Sequence, residues 1–344
     1  MSEQSIKTIL ITGAAGFSGH HMVHECVNAG YKVIATDVSS RHYSAMFDAL
    51  DVKFVASDLT QPDGPFKIND PIDAIIHVAG IHDYSTPDHI IYAVNAKAVE
   101  NICNYAIKKN INRLIHISSV GVYGYSCFKG SAIKEDDPKL TPPINNYNAS
   151  KWEGEQIVHR FIQEKDLKAT IFRPAAIYGK RCEYGLYRVF EQVYQDRNRS
   201  RMLMIGKGDK TEAFVHIHDV CQACIFALQH ENMINETYNL SDDSRITTAE
   251  FFQMVCKSMF GKSKGFLYVP ISILKPVTQA SQIITRYAGI KFRLEKGTLD
   301  YMNSHRIWDN QKIKDAGFSF QYPTIDTGLK EALKWYIDNG WFRI

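Results

Sequence analysis

A tyrosine and a lysine four residues apart, Tyr147 and Lys151, form a pair suited to acid–base chemistry. The pattern around them predicts the start of a helix, where residues four apart share one face. A phenol titrates near about 10 and is a poor base at neutral pH. A neighbouring ammonium favours the phenolate and makes it a usable proton acceptor. The turn at residues 118–124 adds a hydroxyl that would hold a reacting oxygen.

Three glycines, Gly13, Gly16 and Gly19, follow an apolar run and precede a predicted helix. A tight turn needs the first, close approach of the backbone to a pyrophosphate needs the second, and helix–strand packing needs the third. The helix N-terminus then offers amide donors and a positive dipole end to phosphates. This order of strand, glycines and helix predicts a dinucleotide-binding loop.

An acidic residue, Asp37, ends the next predicted strand, where a carboxylate can accept the adenosine ribose hydroxyls. A carboxylate there repels a 2′-phosphate, so the sequence favours NAD over NADP. Ser39 and Arg41 lie close enough to contact such a phosphate, and NADP therefore remains an alternative.

Short β-branched runs alternate with amphipathic stretches through the first half of the chain. The predicted strands are residues 7–11, 32–36, 52–56, 74–78, 113–117 and 168–172, and the predicted helices include 20–28, 90–109 and 151–164. Strand–helix alternation demands crossover connections and a mostly parallel sheet that is covered on both faces. We therefore predict the α/β class, with a doubly wound (Rossmann) sheet and ligands at the carboxyl ends of its strands.

The alternation of predicted strands and helices becomes irregular after residue 173. The length of 344 residues suggests roughly two domains. We predict a dinucleotide-binding domain over residues 1–175, to which residues 213–242 return. Residues 176–212 and 243–344 would form a smaller, mostly helical substrate-binding lobe.

Composition excludes several classes of protein. With 45% hydrophobic and 22% charged residues, the chain is an ordinary globular protein. A formal charge of +3 is too small for a nucleic-acid surface, and the basic run Arg197, Arg199 and Arg201 is typical of a solvated loop. Seven cysteines in a long chain argue against a disulfide framework. We expect a cytoplasmic protein without a membrane span.

These motifs together resemble the extended short-chain dehydrogenase/reductases, the superfamily of NAD-dependent epimerase/dehydratases and 3β-hydroxysteroid dehydrogenases. The resemblance covers most of the chain and rests on motifs at residues 12–19, 58–59, 77–80, 118–124, 147–151, 173–179 and 214–219. It implies an enzyme with Tyr147 as acid/base, Lys151 as the modifier of the tyrosine pKa and a ribose ligand, and Ser119 as the substrate-polarising hydroxyl.

The resemblance also implies the set of residues that hold the cofactor. Asp58 and Leu59 would flank the adenine, Asn95 would brace the site, and Pro174 would lie at the nicotinamide end. The predicted cofactor-binding residues are Gly13, Ala15, Gly16, Phe17, Ser18, Asp37, Asp58, Leu59, Val78, Ala79, Gly80, Asn95, Ser118, Tyr147, Lys151, Pro174, Ala175 and Ile177.

Two departures from the family pattern concern the substrate. Nucleotide-sugar members commonly carry Asn where this chain has Ala176, and a phosphate-binding Arg where it has Glu212. A carboxylate in place of that cation would repel a diphosphate. A third departure, Ser18 in place of an aliphatic residue, concerns only the local packing of the glycine motif.

We therefore predict hydride transfer between NAD and a secondary alcohol or ketone of a hydrophobic, 3β-hydroxysteroid-like small molecule. The alternatives are a nucleotide-sugar epimerase/dehydratase and a non-catalytic dinucleotide sensor. Relatives pair helices corresponding to 90–109 and 151–164, so a homodimer is expected.

Two other features of the sequence, a histidine pair and an apolar stretch, have alternative interpretations. No metal is expected at His20 and His24, which share a helix face but lack a glutamate between them. The apolar stretch 266–288 is read as a substrate lid, an interfacial amphipathic segment or ordinary core.

Overall fold

The computed structural model describes residues 6–38, 47, 50–83, 86–124, 131–138, 145–274, 276, 299 and 303–343. Ser39 and Arg41, which bear on the choice between NAD and NADP, lie outside the described residues. So does most of the apolar stretch 266–288, and its readings as a lid, an interfacial segment or core stay predictions.

Seven parallel strands form the central sheet, in the order β3-β2-β1-β4-β5-β6-β10. Their bounds are Thr8–Thr12 (β1), Lys32–Asp37 (β2), Val52–Ala56 (β3), Ala74–His77 (β4), Leu114–Ile117 (β5), Ala169–Pro174 (β6) and Thr237–Leu240 (β10). The strands in the middle of the sheet are buried apolar runs, as a sheet covered on both faces requires. The predicted doubly wound α/β fold is confirmed.

Helices cover both faces of this sheet and build the C-terminal region. They are Phe17–Asn28 (α1), Asp88–Tyr92 (α2), Ala98–Lys108 (α3), Asn146–Lys165 (α4), Tyr187–Gln195 (α5), Ile217–Gln229 (α6), Thr248–Phe260 (α7), Gln311–Asp315 (α8) and Ile325–Asp338 (α9). No helix in the described part of the chain is both long and apolar enough to cross a membrane.

The strand order reverses at β1, which pairs with β2 on one side and β4 on the other. Thr12 lies opposite Thr36 in β2 and opposite His77 in β4. In an open parallel sheet this reversal leaves a crevice at the carboxyl ends of the strands, where ligands bind. The glycine loop begins directly after Thr12 and therefore lies in that crevice.

Apolar side chains form a cluster on each face of the sheet and a third in the C-terminal region. One face packs on α1 and α6, and the other on α3 and α4. The third cluster is formed by residues from 178–214, 251–259 and 325–342. Two small parallel sheets complete the fold, pairing Ala176–Tyr178 (β7) with Phe214–His216 (β9), and Arg201–Ile205 (β8) with Gly265–Val269 (β11).

The return of residues 213–242 to the large sheet is carried by β10 and α6, because β9 pairs with β7 instead. The predicted helix 90–109 is also divided. A π-helical segment, Ala93–Lys97, separates α2 from α3. A π turn inserts one extra residue into the helical ladder and often marks a functional site, and this one presents Asn95 toward α4. The boundary between domain and lobe at residue 175 stays a prediction.

Candidate active site

The glycine loop packs directly on the end of β4. Gly13 has φ of +66°, and a Cβ built on it would lie 2.6 Å from Cα of Ala79. A Cβ on Gly19 would lie 2.0 Å from the carbonyl oxygen of Gly13. Any side chain at either position would push the loop out of the crevice. The first-turn amides of α1, which lack acceptors within a helix, are therefore held at the crevice and fit a pyrophosphate.

Asp37 lies against this loop at the end of β2. One carboxylate oxygen, Oδ2, accepts from the backbone N–H of Ala15 at 3.1 Å, and Oδ1 accepts from the N–H of Val38 at 2.8 Å. The carboxylate thus stands beside the first residues of the glycine loop. That is the position a ribose-binding acid would occupy.

Asp58 and Leu59 follow the end of β3, next to β2. Hydrogen bonds from the hydroxyl and the N–H of Thr60 lower the pKa of the Asp58 carboxyl. Leu59 is buried, and its carbonyl accepts from Nδ2 of Asn101 at 2.9 Å. This fixed turn lies at the outer part of the crevice, and its contact with an adenine stays a prediction.

Lys151 reaches from α4 to the carboxyl end of β5. Its Nζ donates to the carbonyl oxygen of Ile117 at 2.9 Å, and a Cβ on Gly80 would lie 3.0 Å from the same nitrogen. A side chain at Gly80 would crowd both this ammonium and Oδ1 of Asn95, so the glycine lets the chain after β4 pack closely on Lys151. Val78 and Ala79 bring the chain from β4 to this point. The site therefore fits the ribose end of a dinucleotide.

Burial sets the electrostatics of this lysine. Desolvation lowers the pKa of Lys151 to about 8, and the carboxylate of Glu155 acts in the opposite direction. Burial by itself raises the pKa of Glu155, but hydrogen bonds from His159 and Arg173 bring it down to about 2. Glu155 therefore remains charged and favours the ammonium form of Lys151.

Asn95 ties two parts of the site together. Its Oδ1 accepts from the N–H of Ile81 at 2.8 Å, and its Nδ2 donates to the carbonyl of Ile81 and to Oγ of Ser150. The Ser150 hydroxyl in turn donates to the carbonyl oxygen of Tyr147 at 2.8 Å. The loop after β4 is thereby fixed to the first turn of α4, which carries Tyr147.

The two serines after β5 have different surroundings. The Ser118 hydroxyl donates to Oε2 of Glu155 at 2.7 Å, within the buried ion pair of Glu155 and Arg173. With its hydroxyl proton given to Glu155 and its N–H to the carbonyl of Phe172, Ser118 would contact a cofactor as a hydrogen-bond acceptor. Ser119 caps the following turn, where its Oγ accepts from the N–H of Gly121 at 3.0 Å. A Cβ on Gly121 would touch both this Oγ and Asn148, so Ser119 lies beside the start of α4.

Pro174 and Ala175 lie at the carboxyl end of β6, and Ile177 lies in β7. The N–H of Ala175 donates to the carbonyl of Leu240 at 2.8 Å, which fixes this turn to β10. Except for Ile177, the predicted cofactor-binding residues thus lie at strand ends along one edge of the sheet or on helices that pack there. Their roles as ligands stay predictions.

A family model matches residues 9–241, and it is that of the NAD dependent epimerase/dehydratase family. The chain belongs to this family. Membership confirms the predicted superfamily, the enzyme class and NAD as the family's cofactor.

Relatives and solved structures agree with this assignment. The chain is 21% identical over 330 residues to an N-acetylglucosaminyl-diphospho-undecaprenol 4-epimerase of Escherichia coli O157:H7, covering 95% of this chain and 94% of the relative. It is 26% identical over 228 residues to a decarboxylating sterol-4-alpha-carboxylate 3-dehydrogenase of Bos taurus, covering 65% of this chain and 61% of the relative.

Among solved structures, a UDP-glucose 4-epimerase of Thermotoga maritima has a TM-score of 0.77 at 22% identity, covering 96% of this chain and 99% of that one. A dTDP-glucose 4,6-dehydratase of Bacillus anthracis, solved with NAD, has a TM-score of 0.76 at 19% identity, covering 98% of each chain. These likenesses show the fold.

Sequence reasoning missed one residue of this family member's site, Tyr184. Its phenol and the Ser18 hydroxyl share a hydrogen bond. Burial raises the pKa of Tyr184, and the charges of Cys182 and Tyr147 act in the same direction. Its ring packs on His82, with centroids 3.6 Å apart, and meets Phe17 edge-on at 5.8 Å. Tyr184 therefore spans the distance from the glycine loop to the proposed acid/base. The unusual serine at position 18 was the signal that could have found it.

In the structure, Glu212 has partners that change the electrostatic effect expected of its carboxylate. Both carboxylate oxygens of Glu212 pair with the buried guanidinium of Arg306, and Oε1 also accepts from the Thr248 hydroxyl at 2.6 Å. The negative charge of the partly buried Glu212 carboxylate is therefore balanced by the guanidinium of Arg306. Ala176 lies in β7, as a half-buried residue of the third apolar cluster.

The histidines of α1 contact neighbouring aromatic rings and main-chain groups. His20 is buried, with its ring stacked on Phe47 at 5.6 Å and close to His24 at 4.5 Å. His21 bonds through Nε2 to the carbonyl of Lys180 at 2.9 Å. Within the described ranges, no group of three or more His, Cys, Asp or Glu side chains is placed to hold a metal ion.

The position of Asp37 predicts a preference for NAD over NADP, because a 2′-phosphate would meet its carboxylate. Replacing Asp37 with Asn keeps the size but removes the charge, and a charge-assisted contact of this kind is worth about tenfold in affinity. We expect Asp37→Asn to lose most of the preference for NAD. Titration of both dinucleotides by intrinsic fluorescence measures it, with Asp73→Asn as a control outside the crevice. Tighter binding of NADP by the unaltered protein would contradict this prediction.

The lowered pKa of Lys151 predicts how stability depends on pH. In the cofactor-free protein the folded state releases this proton near pH 8, whereas the unfolded state keeps it to about 10.5. The unfolded state then binds more protons, so the free energy of unfolding rises with pH across that window. Subtracting the same curve for Lys151→Met isolates the contribution of the lysine. A difference that stays flat between pH 7 and 10 would mean that the pKa of Lys151 is unshifted.

Proposed function

We propose that this protein is an NAD-dependent oxidoreductase that transfers hydride between nicotinamide and a secondary alcohol or ketone carbon of a hydrophobic small molecule. The position of Lys151 carries the proposal. Its buried ammonium is held by the carbonyl of Ile117 and packs against Gly80 in the chain after β4, one helical turn from Tyr147. Structural burial of a lysine without such a role would cost stability and gain nothing.

NAD, when bound, supplies the hydride acceptor or donor at nicotinamide C4. In this proposal Tyr147 takes the hydroxyl proton as the alcohol is oxidised and returns it as the ketone is reduced. The ammonium of Lys151 stabilises the phenolate, and the Ser119 hydroxyl donates to the substrate oxygen. The bracing of Tyr147 by Ser150 and Asn95 keeps the phenol in place without a rearrangement during turnover.

The proposal of a hydrophobic substrate rests on two residues at positions where nucleotide-sugar relatives bind their substrate. Ala176 offers no hydrogen bond, and Glu212 is occupied by Arg306 and Thr248. Neither position offers a free donor to a nucleotide diphosphate. The likeness to a sterol-4-alpha-carboxylate 3-dehydrogenase supports an apolar alcohol of this kind. A homodimer and a cytoplasmic location belong to the proposal as expectations from the family resemblance.

The second candidate is a nucleotide-sugar epimerase or dehydratase. Most of the relatives found act on sugar nucleotides or sugar diphosphates by their names, and Arg306 places a cation beside Glu212. Release of that guanidinium would provide a phosphate contact. A non-catalytic sensor is the weaker reading, since it has no need of Ser119, Tyr147 and Lys151 together.

Sugar-nucleotide binding separates the two candidates. We expect calorimetry on NAD-loaded protein to show no useful affinity for UDP-glucose or UDP-N-acetylglucosamine, because two charge-assisted contacts are missing, worth at least about a hundredfold. Glu212→Ala releases Arg306 and should gain affinity for both ligands, whereas Glu191→Ala, which breaks the pair with Arg188 on α5, should not. Micromolar binding by the unaltered protein would reject the hydrophobic-substrate proposal in favour of the epimerase.

Tyr147→Phe tests the proton transfer. The variant keeps the ring and deletes the hydroxyl, so turnover of any alcohol or ketone found in a substrate screen should fall by about 10²-fold or more. NAD affinity should change little, because the phenol acts at the reacting end. Tyr31→Phe, whose hydroxyl accepts from Gln229 far from the crevice, is the matched control. Near-normal turnover by Tyr147→Phe would assign the acid/base role to another group.

A further inference from the structure

The two-stranded ribbon of β8 and β11 exposes an apolar outer face. In this parallel pair, Leu203 lies opposite Leu267 and Ile205 opposite Val269. The alternate residues Met202 and Met204 are buried in the third apolar cluster. Because successive side chains of a strand point to opposite faces, the first four lie on the side away from that cluster. None of them belongs to any buried cluster of the described residues.

Exposure is unusually high at this ribbon. Leu267 is 55% exposed, Tyr268 is 53% exposed and Ile273, just beyond β11, is 62% exposed. In the described part of the chain only two other large apolar residues, Val38 and Ile90, are exposed. Tyr268 lies opposite the buried Met204 and therefore on the other face of the ribbon. We call the set Leu203, Ile205, Leu267, Val269 and Ile273 the ribbon patch.

A dense rim of cations surrounds the ribbon patch. The adjoining segments 197–207 and 257–264 hold seven Lys and Arg residues and no Asp or Glu, which leaves the rest of the chain with a net negative formal charge. The cations are Arg197, Arg199, Arg201, Lys207, Lys257, Lys262 and Lys264, and all but Lys264 are exposed. Across the described ranges, the buried Asp196 is the carboxylate that pairs with this rim, through Arg199 at 3.1 Å.

The rim is a fixed part of the fold. Nζ of Lys264, at the start of β11, donates to the carbonyl oxygens of Asp196, Arg197 and Arg199. The guanidinium of Arg197 lies over the ring of Tyr194, 4.2 Å from its centroid. These contacts hold the basic loop against the segment that leads into β11, so Arg197, Arg199 and Lys264 lie next to the ribbon.

We propose that the ribbon patch docks this protein on an anionic lipid surface. Apolar side chains rimmed by Lys and Arg bind at the boundary of acyl chains and headgroups, with the cations attracted to anionic lipids. A second copy seated on the same patch would bring two basic rims together, which costs energy. A nucleic acid would leave Leu267 and Ile273 without apolar partners. Docking is a binding function separate from the proposed hydride transfer.

Vesicle co-sedimentation of the full chain tests the proposal. We expect binding to vesicles of phosphatidylcholine and phosphatidylglycerol in a two-to-one ratio, little binding to phosphatidylcholine alone, and weakening as salt rises. The double variants Leu267→Ser/Ile273→Ser and Arg201→Gln/Lys262→Gln should each lower the bound fraction several-fold. Lys165→Gln/Lys168→Gln, at an exposed position on the large domain, is the matched charge control and should bind normally.

Unchanged NAD affinity in every variant would show that each is folded, independently of any enzymatic activity. Binding of the unaltered protein that is equal on the two vesicle types, or absent from both, would overturn the proposal. So would a self-association in ultracentrifugation that Leu267→Ser/Ile273→Ser abolishes, or retention by single-stranded RNA that exceeds retention by anionic vesicles.

Discussion

The buried ammonium of Lys151 is the constraint around which the site is arranged. A lysine taken out of water loses hydration that its surroundings must replace. Here the carbonyl of Ile117 accepts one of its protons, and the charged Glu155 lies one turn further along α4. Glu155 is itself stable as a carboxylate because Arg173 and the Ser118 hydroxyl contact it. The site thus depends on a buried ion pair one helical turn from Lys151.

The two imidazoles beneath the crevice fit the same constraint. His77 and His116 stack at 5.6 Å on neighbouring strands, and burial lowers the pKa of both. Each is therefore neutral at physiological pH and adds no positive charge next to Lys151. The Thr12 hydroxyl lies 2.8 Å from Nδ1 of His77 and accepts from the N–H of Ala79, so the glycine loop and β4 are linked through this histidine. The buried charges here are therefore the ammonium of Lys151 and the ion pair of Glu155 and Arg173.

Most of the site's framework could be predicted from the sequence because it follows local rules. The six strands of the first half, the glycine loop and the position of Asp37 depend on residues that are near one another in the chain. The π-helical segment Ala93–Lys97 was not predictable from nearby residues. It packs Asn95 against α4 at Gly154, where α4 carries no side chain. The pairing of β9 with β7 likewise depends on the third cluster and not on the alternation within Phe214–His216.

Charge patterns were the least predictable part, and Glu212 shows why. Its role as a repulsive carboxylate was inferred from one position, but the partner that cancels it, Arg306, lies 94 residues away and follows no spacing rule. The same applies to Tyr184, whose contacts with Ser18 and His82 join its own loop to the start of α1 and to the loop after β4. Residues that recognise a substrate come from such loops, while residues that hold the cofactor follow the strand ends. A sequence therefore defines the residues that act on the reacting atoms better than the residues that recognise the substrate. The state of the Glu212–Arg306 pair is what separates the two candidate substrate classes.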